Sequence, residues 1–228
     1  MVKTPKKPTT MQQPFTPQDR KQNQIISFLR LRTMIGALGI LLPFALVISD
    51  SIARKILGIE FSISDYYDNG VSGDLLVGVL FVLGFFLLSY KGYEPIDNIV
   101  SNLSCFFALG VALFPTTAKG LTHILHFVFA FLLFSTFIFF SIYLFRKKDK
   151  NNPEPISEIK KTRNKVYLAC GIIMILCIII IALASFDVLG AAADKFNLVF
   201  WFETIALVAF GFSWITKGGE LIFKDDKK

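Results

Sequence analysis

Apolar residues run along this chain in long unbroken blocks, separated by short polar connections. Six blocks stand out, at roughly 33–50, 71–90, 98–117, 122–145, 165–186 and 197–216, each dominated by Leu, Ile, Phe, Val and Ala. A bilayer core is crossed by ~20 apolar residues of helix. The runs are continuously apolar rather than alternating, so they read as helices and not as barrel strands. The pattern predicts an all-α polytopic membrane protein with six transmembrane helices, occupying residues 29–217.

The polar segments frame that bundle. Residues 1–28 are rich in Pro, Thr, Gln and Lys and read as a disordered cytoplasmic tail, with a short interfacial helix expected over Gln24 to Arg32. The basic connection 146–164 divides the chain into four spans plus two, and 218–228 forms a second cytoplasmic tail. No connection is long enough for a soluble domain. The first block begins well after the N-terminus and is long enough to stay as an anchor, so no cleaved signal is expected. Pro43 is expected to kink span one, and Pro115 to end or kink span three. Gly36, Gly39, Gly78, Gly84 and Gly110 read as close-packing positions between helices.

Composition agrees: 54% of 228 residues are hydrophobic. The formal net charge of +7 could suggest nucleic acid, but its distribution argues against that partner. With six spans and a cytoplasmic N-terminus, the bases gather on one side. Seven precede span one, Lys91 lies in the second connection, eight run from Arg146 to Lys165, and four lie in the C-terminal tail. Only Arg54, Lys55, Lys119 and Lys195 fall on the other side. This is the positive-inside asymmetry, and it predicts both termini in the cytoplasm, with a bacterial inner membrane as the expected location. Anionic lipid binding by the basic connection is a secondary use of the same charges. Cys105, Cys170 and Cys177 all fall inside blocks and read as small apolar packing.

Glu203 is the one formal charge well inside a block. A carboxylate at that depth costs several kcal/mol unless it is paired, hydrated or protonated, which makes it a candidate site residue. It lies six residues from Asn197, or ~9 Å down a helix. Span four enters the membrane from the same side and opens with the two histidines of the chain, His123 and His126, three apart and on one helical face. The connection 50–74 on that side adds Asp50, Glu60, Asp65, Asp68 and Asp74, with Ser62, Ser64, Tyr66 and Tyr67. An outward-facing polar pocket follows, with Glu203 level with His126 and beneath the Ser62–Tyr67 stretch. Glu203, His126, His123 and Asp65 are the candidate catalytic groups. Ser62, Ser64, Tyr66, Tyr67 and Asp74 are the candidate substrate contacts. Each also has a plainer use: Glu203 as a packing lock, the histidines as helix-start residues, and the loop as an amphipathic segment on the membrane.

Three classes of function use this set. Zinc held by His123, His126 and Glu203 would activate a water for lipid hydrolysis, zinc needing three protein ligands and one open position. A proton-linked transporter would pass a proton between Glu203 and His126. A non-catalytic assembly or regulatory subunit, or a homo-oligomer, would use them only for packing. In every case the lipid bilayer is a partner, with a lipid or small molecule as ligand in the first two.

The Ser62-Ile63-Ser64-Asp65 run in the first external connection of a six-span chain resembles the Frag1/DRAM/Sfk1 group and DUF998-type bacterial membrane proteins. That resemblance implies six spans and lipid handling. The outer-side Ser, Asp and His residues are similar in kind to the ceramidase and adiponectin-receptor superfamily of intramembrane zinc hydrolases. That superfamily uses three histidines and usually seven spans, where this chain has two and six. The stretches LRTMIGALGILLPF, YKGYEPIDN and FGFSWITKGG are similar to a further bacterial membrane family and imply no activity.

Overall fold

The computed structural model describes residues 17–92, 94–117, 119–148, 157–186 and 188–219. Its helices are α1 (Pro17–Arg54), α2 (Val71–Ser89), α3 (Pro95–Leu113), α4 (Leu121–Ile142), α5 (Glu158–Ser185), the short α6 (Ala191–Lys195) and α7 (Leu198–Gly218). Two 3₁₀ helices, Ile63–Asp68 and Leu144–Arg146, complete the described elements. Among the described residues, six helices are long and apolar enough to cross a membrane: Ser27–Arg54 within α1, α2, α3, Leu121–Arg146, α5 and α7. The chain is a multi-pass integral membrane protein.

The burial pattern is that of a bilayer protein, apolar outward and hydroxylated inward. Met34, Leu41, Phe44, Ile48 and Ile52 form an exposed stripe along α1. Between helices, hydroxyls pair: Ser104 donates to Thr136 at 2.8 Å, Ser141 meets Ser213 at 2.8 Å, and Ser49 meets Ser72 at 3.0 Å. Small polar groups act this way where lipid offers no hydrogen-bond partner. α7 is the central helix, packed between α1 and α5. Its Gly211 lies against the Gly36 carbonyl of α1, and Gly36 against the Gly211 carbonyl, so the two backbones touch. Trp214 of α7 is fully buried among Tyr90, Phe140, Phe145 and Phe210.

Several boundaries differ from the sequence expectation. α1 begins at Pro17, so residues 17–28 are helical rather than part of a disordered tail. Residues 1–16 of that tail, 149–156 of the basic connection and 220–228 of the C-terminal tail lie outside the described residues. α5 starts at Glu158, capped by the side chain of Ser157, which accepts from the Lys160 N–H. That cap draws 158–164 out of the expected loop and into the helix. α3 ends at Leu113, two residues before Pro115. Gly78, expected to pack, faces open space.

At one end of the bundle the α1–α2, α3–α4 and α5–α7 connections meet; this is the loop end. The α2–α3 and α4–α5 connections form the basic end. There Arg32 is buried, reaches the Lys217 carbonyl at 3.4 Å, and lies over the Phe28 ring at 4.4 Å. A cation on the last carbonyls of α7 opposes the negative end of that helix.

Candidate functional site at the loop end

The α1–α2 connection turns inward as the 3₁₀ helix Ile63–Asp68, and its start is built by a capping box. Ser62 Oγ accepts from the Asp65 N–H at 3.2 Å, and Asp65 Oδ2 accepts from the Ser62 N–H at 3.1 Å. A helix start exposes several N–H groups, and this box satisfies two of them. The Ile63 N–H between them goes to Glu203 Oε2 of α7 at 2.6 Å. That is the partner of the membrane-embedded carboxylate: a backbone donor 140 residues away in sequence.

The other flank of the turn meets α4. Ser64 Oγ lies 2.9 Å from His126 Nε2. His126 Nδ1 lies 2.6 Å from the Phe114 carbonyl. A carbonyl only accepts, so Nδ1 carries the proton, and in the neutral ring Nε2 accepts from the Ser64 hydroxyl. His126 is 2% exposed and Ser64 is partly buried. The Thr116 hydroxyl donates to the Ser64 carbonyl at 3.4 Å. His123 is exposed, its Nδ1 2.6 Å from the Thr116 carbonyl. Phe127, 49% exposed, packs near-perpendicular to both imidazoles. The pair therefore lies beside the lipid-facing side of α4.

Further bonds hold the connection down. The Phe200 N–H donates to the Phe61 carbonyl at 2.9 Å, and Asn197 Nδ2 to the Ile59 carbonyl at 3.4 Å. Gly73 packs directly on the Tyr67 carbonyl, where a Cβ has no room. Glu203 and His126 do not touch; each grips the same 3₁₀ turn from its own side. Asp65, on the turn that both grip, interacts electrostatically with each. Burial pushes the Asp65 carboxyl above the ordinary aspartate range, partly offset by its bonds from Ser62.

The remaining predicted residues scatter. Tyr66 is fully buried; its hydroxyl accepts from the Glu60 N–H at 3.2 Å, so it is a core strut and not a vestibule wall. Tyr67 is partly buried and Asp74 is exposed. Asp50, read as a loop acid, is fully buried at the end of α1 and pairs with Arg54, which also binds Glu60 at 2.7 Å. Asn69 donates to Glu60 at 3.0 Å and closes that network. The zinc expectation needed His123, His126 and Glu203 to converge. Among the described residues no three His, Cys, Asp or Glu side chains group as metal ligands. The 3₁₀ turn stands between Glu203 and the histidines.

Ser64 as the group facing His126 was not legible beyond its place in the loop set. The available signal was a hydroxyl two residues beyond the N-cap of a turn, opposite a histidine one helical turn inside α4. No family model, curated protein or solved structure matches the chain.

Proposed function

We propose that this membrane protein is a lipid-directed acyl hydrolase or acyl transferase, with Ser64 as nucleophile and His126 as general base. One observation carries the reading: the Ser64 hydroxyl lies 2.9 Å from His126 Nε2 while the Phe114 carbonyl holds Nδ1 at 2.6 Å. A nucleophile, a base within hydrogen-bond reach and a third group that fixes the base are the parts of an activated serine. The Phe114 carbonyl fills the orienting place that a carboxylate holds in the best-known triads.

The chemistry balances with these groups alone. Ser64 Oγ attacks an ester carbonyl as its proton passes to His126 Nε2. The tetrahedral adduct collapses, the acyl–oxygen bond of the substrate breaks, and His126 returns the proton to the leaving alcohol. Water, deprotonated by the same imidazole, then releases the acid from Ser64; an acceptor alcohol in place of water gives transfer. The substrate class follows from the surroundings. Phe127 and the exposed Leu121 and Ile124 put the pair at the lipid-facing rim of α4, within about one helical turn of the span's end, where the ester groups of a bilayer lipid lie. The loop end faces away from the cytoplasm in this reading, as the distribution of bases supports.

The test is labelling and turnover in lipid nanodiscs. A fluorophosphonate probe is expected to modify Ser64, with the adduct located by peptide mass spectrometry. A fluorogenic phospholipid ester is expected to be cleaved. Ser64→Ala and His126→Ala are each expected to lower that rate at least ~100-fold, within the range for loss of a nucleophile or base. Wild-type protein that is folded yet neither labelled nor active overturns the reading. Ser64 and His126 then serve as a lock tying the connection to α4.

A further inference from the structure

We infer that Glu203 is the positioning residue of this site: it holds Ser64 in register with His126 through the Ile63 N–H, and takes no part in proton transfer. The inference rests on the Ser64–His126 reading above. Its basis is the division of labour at the start of the 3₁₀ turn. The capping box takes up the Ser62 and Asp65 N–H groups, and Glu203 takes up the Ile63 N–H. Ile63 directly precedes Ser64, so the peptide that carries the nucleophile is anchored at its N-terminal side by α7. The hydroxyl on its far side meets α4. The turn is a strut between two helices, and its length sets the Ser64–His126 distance.

A strut of this kind predicts what each substitution does. An amide at 203 keeps an oxygen acceptor with the same reach, so Glu203→Gln preserves the anchor while removing the ionisable group. Glu203→Asp keeps an ionisable carboxyl and loses the reach by one methylene. Glu203→Leu removes both. If Glu203 instead carried a proton, Gln would be the damaging change and Asp the tolerated one. The order of the variants therefore distinguishes the two roles.

The experiment measures the second-order rate of fluorophosphonate labelling at Ser64 for the full chain in nanodiscs. Hydrogen exchange of the 61–66 peptide is followed in the same samples. Glu203→Gln is expected within about threefold of wild type in both readouts. Glu203→Asp and Glu203→Leu are expected to label at least ~10-fold more slowly and to exchange faster over 61–66, while exchange elsewhere in the bundle is unchanged. If Leu prevents folding, Asp carries the test. Labelling at the wild-type rate in Glu203→Asp, or a Gln variant as slow as Asp, overturns the inference and leaves the serine reading standing. Absence of Ser64 labelling in wild type overturns the serine reading, and the positioning role with it.

Discussion

At the scale of single residues, the membrane-embedded carboxylate and the loop aspartate are both held by backbone donors, and they do different work. Removing the Glu203 acceptor leaves the Ile63 N–H without its partner in a buried setting, a loss of about 1–3 kcal/mol. Asp65 also accepts a backbone N–H, but burial dominates its titration and raises its pKa. A raised carboxyl pKa contributes stability that is fully present below the unfolded-state value and is lost as pH rises through the folded value. Wild type is therefore expected to lose stability, relative to Asp65→Asn, as pH goes from acid to neutral. The amide still accepts from the Ser62 N–H and cannot ionise. Melting of both proteins across that pH range is followed by the intrinsic fluorescence of Trp214, which is fully buried in the folded bundle. A difference in melting temperature that stays flat with pH would contradict the burial argument.

At the scale of elements, the sequence displayed the spans because each satisfies one strong constraint, an apolar length that fits a bilayer. The site obeyed weaker and longer-range rules. The Ile63 N–H finds Glu203 and Ser64 finds His126 only after α4 and α7 have packed, and no periodicity carries that information. Tyr66 misled for a related reason: an aromatic hydroxyl in an acidic loop looks like a ligand contact until the loop folds inward and buries it. Helix contacts make the next tests. A Cβ on Gly36 runs into the Gly211 carbonyl, whereas a Cβ on Gly78 meets nothing within 4 Å. Gly36→Ala is expected to destabilise the bundle by about 1–3 kcal/mol through forced separation of α1 and α7. Gly78→Ala is expected to be neutral or to stabilise α2 by up to about 1 kcal/mol. Ser62→Ala, which removes the N-cap acceptor of the 3₁₀ turn, is expected to cost about 1 kcal/mol and to loosen 61–66 before the rest. Melting of these variants at neutral pH, read by a thiol-reactive fluorophore on the free and buried Cys105, Cys170 and Cys177, checks all three.

At the scale of the whole molecule, six spans put both ends of the bundle's chain on one side, and charge predicts which side. Lys91, Arg146, Lys147, Lys148, Lys160, Lys161, Arg163, Lys165 and Lys217 gather at the basic end, while Arg54, Lys55, Lys119 and Lys195 are the bases of the loop end among the described residues. A membrane potential and an anionic inner leaflet both favour such a basic end in the cytoplasm. In that orientation the proposed Ser64–His126 site would lie in the leaflet away from the cytoplasm. It is checked with the native cysteines replaced by Ala and single cysteines placed at positions outside the spans. Asp68→Cys in the loop end is expected to react with a membrane-impermeant maleimide in intact cells, and Lys91→Cys only after permeabilisation. The opposite pattern would invert the molecule and move the site to the cytoplasmic leaflet. The two positions flank a single helix, α2, so the comparison tests one crossing and the direction of the whole bundle at once. Reaction of both in intact cells would mean that α2 does not cross, and would break the six-helix topology itself.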